Sequence, residues 1–161
     1  MHSYGREPHA RLLKSFARIL LLLLCLPMAF THALPDDRDQ PIRITADKAL
    51  RDEINGVTVY SGHVQFVQGS MELQAEKLTI YHTSEDAEEI IAEGLPAKMR
   101  QQPEINKGIV NAHGEVIKYY RKEDRVLLQK NARIEQDGAV VEGNSIEYLI
   151  AKQLTTAESD P

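Results

Sequence analysis

Val64-Gln65-Phe66-Val67-Gln68-Gly69-Ser70-Met71-Glu72-Leu73-Gln74-Ala75-Glu76-Lys77-Leu78-Thr79-Ile80 is the stretch that decides the fold. Apolar and polar residues alternate in Val64-Gln65-Phe66, Leu73-Gln74-Ala75 and Leu78-Thr79-Ile80, and Gln68-Gly69-Ser70 carries turn chemistry between them. Period two over short runs describes half-buried strands, because successive strand side chains point to opposite faces. The pattern extends upstream into Ile42-Arg43-Ile44 and Val57-Thr58-Val59. Downstream it returns in Ile117-Lys118-Tyr119, Arg133-Ile134-Glu135 and Ile146-Glu147-Tyr148-Leu149-Ile150. Asn55-Gly56, Ser61-Gly62, Asp137-Gly138 and Glu142-Gly143-Asn144 read as further breaks. The reading predicts an all-β chain of about fifteen short antiparallel strands. Ser84 to Glu89 is acidic, with too few apolar residues to bury a helical face, and reads as a solvated hairpin tip.

The stretch repeats. At an offset of 68 residues, Val59 meets Leu127, Val64 meets Ala132, Phe66 meets Ile134, Leu73 meets Val141, Leu78 meets Ile146 and Ile80 meets Tyr148. Small residues keep step, Ala46 with Gly114 and Ala75 with Gly143; Ala92-Glu93 matches Ala157-Glu158 once a three-residue gap is allowed. A repeat of hairpins has one apolar face and cannot bury it alone. The solution is two facing sheets, as a sandwich, jelly roll or flattened β-roll, with the Ala and Gly positions admitting bends or close approach. After residue 33, Phe66 is the only Phe or Trp, so the interior is aliphatic. Such an interior suits packing against itself and suits fluid hydrocarbon equally.

The first 33 residues differ from the rest. Arg6, Arg11, Lys14 and Arg18 precede a twelve-residue apolar run, Ile19 to Phe30, and Thr31-His32-Ala33 gives a small-residue exit. This is the pattern of a secretory signal peptide, cut after Ala33. A membrane anchor is the rival, but a span takes about 20 apolar residues. A lipoprotein signal is disfavoured by Leu24 before Cys25. Cleavage removes the only cysteine and leaves 15 Lys+Arg against 23 Asp+Glu, a net charge of −8. A thiol-free exported domain is held by its core and hydrogen bonds alone, and net −8 argues against nucleic acid. Residues 34–41 read as a flexible acidic segment, 42–158 as the β-domain and 159–161 as a tail.

No catalytic constellation is found. His63, His82 and His113 stand outside metal-ligand spacing and read as surface residues, the first two in or beside turns and the third ahead of a strand. Nucleophile elbows, phosphate loops and zinc-protease motifs do not occur. Asp36-Asp37-x-Asp39 lacks the glycine and terminal glutamate of a calcium loop. The reading is a non-enzyme with no cofactor and no metal.

Gln40-Pro41-Ile42-Arg43-Ile44-Thr45-Ala46-Asp47, Tyr60-Ser61-Gly62-His63-Val64, Leu73-Gln74-Ala75-Glu76-Lys77-Leu78 and Ala92-Glu93-Gly94-Leu95-Pro96-Ala97 follow in order. Asn131-Ala132-x-Ile134-x-Gln136 and Glu142-Gly143-Asn144-x-Ile146-x-Tyr148 close the series. In order and spacing, over residues 40 to about 158, the chain resembles the OstA-like family of LptA-type periplasmic lipopolysaccharide-transport proteins. The resemblance implies an open, twisted β-jelly roll with a hydrophobic groove, which carries lipopolysaccharide across the periplasm. It implies partners as well: an LptC-like inner-membrane protein, an LptD/LptE-like outer-membrane translocon, and further copies joined end to end by strand pairing. The energy for transport would come from a partner, because this chain has no nucleotide site.

Alternation defines the expected lipid-binding lining. From the first half it takes Ile42, Ile44, Val59, Val64, Phe66, Leu73, Leu78, Ile80 and Met99. From the second it takes Ile117, Tyr119, Leu127, Ile134, Val141, Ile146 and Tyr148. Ile42, Ile44, Phe66, Met99 and Tyr119 match positions the family implies. The opposing reading of each is ordinary sandwich core; Phe66→Glu, expected to abolish lipid crosslinking in a folded protein, separates the two. Arg38, Arg43 and Lys98 are the candidate rim cations. Edge strands carry unpaired N–H and C=O groups, so Gln40–Ala46 and Lys152–Glu158 are the expected docking ends. Three alternatives stand beside this reading: an exported adaptor β-domain that binds no lipid and has a closely packed interior, an LptC-like membrane-anchored bridge component, and an exported hydrolase.

Overall fold

The computed structural model describes residues 37–83, 86–104 and 106–159. The signal-peptide reading of residues 1–33 lies outside the described residues. Among the described residues, nine strands form one antiparallel sheet: β1 (Arg43–Thr45), β2 (Lys48–Asp52), β3 (Val57–Gln68), β4 (Met71–Thr83), β5 (Asp86–Gln101), β6 (Val110–Tyr120), β7 (Arg125–Gln136), β8 (Ala139–Leu149) and β9 (Leu154–Glu158). β3 to β9 pair in chain order, while β1 and β2 cover successive stretches of one edge of β3. Among the described residues, helix is limited to 3₁₀ turns at Asp37–Asp39 and Arg121–Glu123.

Nine strands replace the expected fifteen, and the physical reason is local. Ser61-Gly62 and Glu142-Gly143-Asn144 do not end strands; β3 and β8 run through them. At these points the register slips, between Ser61 and Val64 and between Gln129 and Ala132. A β-bulge absorbs extra residues and bends the strand without ending its pairing. Further slips fall at Gln74/Lys77, Glu93/Ala97 and His113/Val116, so these five bulges lie in one row across the sheet; one more, at Tyr81/His82, sits apart from the row near the end of β4.

The row acts as a crease. By register, Gln153 and Glu104 belong to opposite ends of the strands, yet Gln153 Nε2 donates to Glu104 Oε1 at 2.7 Å. Arg38 O likewise accepts from Gln68 Nε2 at 2.9 Å at one end and from Arg121 Nη2 at 3.2 Å at the other. The sheet is therefore folded back on itself into two walls, and their inner faces share one core. Small residues at the crease permit this: a Cβ on Gly143 would lie 2.8 Å from the carbonyl oxygen of Glu158 on the neighbouring β9.

The 68-residue repeat is structural. Leu78 faces Ala92 and Lys77 faces Glu93, just as Ile146 faces Ala157 and Ser145 faces Glu158. Left-handed backbone recurs at the same offset: Gly56 and Asp124, Gly62 and Lys130, His63 and Asn131, Gly69 and Asp137. Of the expected solvated tip, Ser84 to Glu89, the first two residues lie outside the described residues; Asp86 to Glu89 instead belong to β5, paired with the end of β4 and with Ala87 buried. His113 lies inside β6, not ahead of a strand.

Residues 37–40, expected to form part of a flexible acidic segment, are tied down. Asp37 Oδ1 accepts from the Ser70 amide at 2.7 Å, and Oδ2 accepts from Ser70 Oγ at 2.6 Å and Gln101 Nε2 at 3.1 Å. Gly69 makes room: a Cβ there would stand 2.1 Å from Asp37 Oδ1. Asp37 is the hydrogen-bond acceptor for a turn, which composition alone does not reveal.

Candidate functional site

The inner faces of the two walls form the candidate site. Of the expected lining residues, Val64, Phe66, Leu73, Leu78, Ile80, Met99, Ile117, Tyr119, Ile134, Ile146 and Tyr148 are buried in one cluster. Ile42, Ile44 and Val141 are half-buried and pack against it.

Val59 and Leu127 do not join them. In β3 the buried position is Thr58 and Tyr60 packs on the core, while in β7 the buried positions are Val126 and Leu128. Alternation then puts Val59 and Leu127 on the outer face. Val59 was read inward because Thr58 looks polar, but Thr58 sits opposite Ile80 and its hydroxyl lies 3.1 Å from His82 Nε2. Val126-Leu127-Leu128 has no alternation to reveal its phase. Its partners settle the matter, Val126 opposite Tyr148 and Leu128 opposite Ile146. The repeat holds even in the error, since the two misassigned residues are its equivalent positions.

The reading also missed inward residues, notably Tyr60, Ile90, Val110, Val126 and Leu128. Ile90-Ile91-Ala92 hides its phase as Val126-Leu127-Leu128 does.

Where the walls meet opposite the crease, the mouth is polar. Residues 37–40 cross it like a strap. On the β1 side lies a cleft of about 450 Å³, bounded by Arg38, Ile42, Ile44, Tyr60, Ile80 and Arg121 among others. On the other side lies one of about 620 Å³, reached by Asp37, Gln101, Glu104, Asp124, Ile150 and Gln153. Arg38 Nε stands 3.9 Å from Asp124 Oδ1. Burial pushes the Tyr148 hydroxyl up to about 12, with the Asp124 carboxylate adding to the shift. Arg121, absent from the sequence reading, reaches both Ala87 O and Arg38 O through its guanidinium. Nothing in Arg121-Lys122-Glu123-Asp124 distinguishes it from an ordinary charged turn.

Of the three rim cations expected, Arg38 is at the mouth and Arg43 is exposed on β1 between the half-buried Ile42 and Ile44. Lys98 is not at the rim. It alternates with buried Ala97 and Met99 and so lies on the outer face, in a shallow depression with Glu72, His113 and Arg133.

The sheet is not closed on itself: among the described residues, β9 pairs only with β8, and β1 and β2 only with β3. Two terminal edges are therefore left, one from β9 and one shared by β1 and β2. Such edges are templates for pairing with another chain.

The comparisons agree with this architecture. The family described as LptA/(LptD N-terminal domain) LPS transport protein matches residues 43–154. The lipopolysaccharide export system protein LptH of Pseudomonas aeruginosa is 35% identical over 148 residues, covering 91% of this chain and 85% of that protein. The lipopolysaccharide export system protein LptA of Escherichia coli K12 is 32% identical over 130 residues, covering 80% of this chain and 70% of its own. A crystal structure of the P. aeruginosa LptH, described as the LptA-homologous periplasmic component of a lipopolysaccharide transport device, matches with a TM-score of 0.75 at 36% identity. That match covers 78% of this chain and 87% of the other. With its folded-back β-jelly roll and a match over most of its length, the chain belongs to the LptA/LptD N-terminal domain family of lipopolysaccharide transport proteins.

Proposed function

We propose that this protein is a periplasmic carrier that shelters the acyl chains of lipopolysaccharide between its two walls and passes the lipid from the inner toward the outer membrane. The observation that carries the reading is an aliphatic inner face running the length of a sheet whose two edges stay unpaired. Hydrocarbon in water costs about 0.8 kcal/mol per CH₂, so a multiply acylated lipid needs continuous cover. A closed pocket would hold it too firmly to release. A roll with open ends, abutting like rolls, lets the lipid slide while its chains stay covered. The proposed partners are an LptC-like protein, or the preceding copy, at the Gln40–Ala46 end and a further copy or an LptD/LptE-like translocon at the Lys152–Glu158 end. Export by a signal peptide cut after Ala33 belongs to the same reading.

The test is mass spectrometry of the mature protein after incubation with lipopolysaccharide, joined to crosslinking from photoreactive residues at Ile44 and, on the outer face, Val59. Retained lipid and adducts from Ile44 but not Val59 are the expected result; equal labelling, or no retained lipid, would reject it.

One observation favours the second reading, an exported adaptor domain without lipid. Phe66, Leu78, Ile90, Ile117 and Leu128 are each 0% exposed, so the two walls cover each other. Under the carrier reading the walls must part to admit acyl chains. Under the adaptor reading they never do. The same lipid-retention measurement separates the two.

A further inference from the structure

The interior is mainly apolar, yet three buried side-chain polar atoms among the described residues have no hydrogen-bond partner: Gln101 Oε1, Arg121 Nε and Tyr148 Oη. Gln101 and Arg121 line the two clefts of the mouth, and Tyr148 is buried beneath it, its hydroxyl close enough to Asp124 to feel that carboxylate's charge. Gln101 is 3% exposed and reaches the larger cleft; its Nε2 is engaged by Asp37 and its oxygen by nothing. Arg121 uses both terminal nitrogens on carbonyls, Nη1 on Ala87 O at 2.9 Å and Nη2 on Arg38 O, which leaves Nε over. Tyr148 is 1% exposed and points inward from β8, two residues before Ile150, which bounds the same cleft as Gln101. Leaving such groups unpaired is costly, and a stable fold explains it only where something else supplies the missing partner.

We propose that Tyr148, Arg121 and Gln101 form a polar collar for the junction of an acylated sugar, where its acyl chains meet its ring. This deepens the carrier reading and rests on it. Tyr148 Oη and Arg121 Nε donate to the carbonyl oxygens of ester or amide linkages, and Gln101 Oε1 accepts from a ring hydroxyl. The placement fits: apolar walls lie below the collar for the chains, and solvent lies above it for the sugar. Asp37, Asp124 and Glu104 outnumber Arg38 in the larger cleft, and Arg38 already faces Asp124, so the balance of charge there disfavours a phosphate or a free fatty acid and suits hydroxyl groups. The strap of residues 37–40 bonds to Gln101 and Arg121 in the empty protein, and it moves aside when the junction arrives.

The experiment measures binding of lipopolysaccharide, sucrose monolaurate and dodecyl maltoside to the mature chain and to Tyr148→Phe, Arg121→Met and Gln101→Met. The two surfactants share a disaccharide head and chain length, but only the laurate has a linkage carbonyl. Folding of each variant is checked by circular dichroism and thermal melting. Tyr148→Phe removes only an unpartnered oxygen from a packed site, so it keeps the test alive if Arg121→Met fails to fold. Tyr148→Phe is expected to weaken lipopolysaccharide and laurate binding about fivefold or more, the loss of roughly one hydrogen bond, and to leave the maltoside unchanged; Arg121→Met, which also frees the strap, is expected to weaken both relative to the maltoside. Gln101→Met, which loses a hydroxyl contact, is expected to weaken all three. Folded variants that bind as the wild type does would overturn the collar alone, as would an equal loss with both surfactants after Tyr148→Phe. A wild-type chain that binds neither lipopolysaccharide nor laurate would overturn the carrier reading itself.

Discussion

Asp47 and His63 show how single side chains fix the crease. The Asp47 amide donates to Gly62 O at 2.9 Å, and the His63 ring nitrogen Nδ1 donates to Asp47 Oδ2 at 2.8 Å. That hydrogen bond first, and the carboxylate's charge second, raise the His63 ring above its ordinary 6.5. A raised folded-state value means the pair's contribution is fully present below pH 6.5 and is lost as pH climbs through the raised value. An NMR titration should therefore find His63 above 6.5, and Asp47→Asn should bring it back toward that figure. Asp37 gives a second prediction. Its carboxylate accepts three hydrogen bonds, so Asp37→Ala should cost about 1.5–3 kcal/mol in urea unfolding. Amide exchange of residues 38–40 should speed up with it. Phe66→Glu, attractive from sequence as a lipid-blocking change, would bury a carboxylate at a site that is 0% exposed. It is now expected to unfold the empty roll, which leaves the half-buried Ile44 as the better probe.

Among the elements, the terminal strands matter most. β9 is exposed at four of its five positions, with Leu154 51% exposed, and β2 is exposed throughout. Neither adds much to the core, which is consistent with strands kept for pairing rather than for packing. A chain ending at Gln153 should keep the sheet from β1 to β8 by circular dichroism and run as a monomer in light scattering, where the full mature chain is expected to form concentration-dependent oligomers. Persistent oligomers after the truncation would remove β9 from the interface. At this scale the sequence was legible where alternation was clean, as in Leu73-Gln74-Ala75 and Ile146-Glu147-Tyr148, whose apolar members all face inward. It was illegible at Ser61-Gly62 and Glu142-Gly143-Asn144, because a glycine that ends a strand and one that seats a bulge look the same in one dimension.

For the whole molecule, the question is whether the walls separate. Closed, they are linked across the mouth by Glu104–Gln153 and by Arg38 O with Gln68 and Arg121. If acyl chains enter, those links must break while the strand ladders persist. Hydrogen exchange in the presence of lipopolysaccharide should therefore accelerate at residues 37–40 and 151–153 and leave the centres of β4 to β7 protected. Unchanged exchange in a lipid-bound sample would show that lipid docks elsewhere than between the walls.

The sequence by itself determined the strand class, the internal repeat and most of the inward residues, mainly aliphatic but with Tyr119, Tyr148 and Phe66 the largest of those fully buried. Each is written in local spacing: period two sets the face, and an offset of 68 sets the repeat. Tertiary structure alone decided three things. It turned apparent breaks into a row of bulges, because only register between strands distinguishes the two. It put Val59, Leu127 and Lys98 on the outer face, because the phase of a short or uniformly apolar run is set by its partners. And it gathered Asp37, Arg38, Gln101 and Arg121 at one mouth, because folding the sheet along its crease joins distant positions such as Arg38 and Arg121, 83 residues apart.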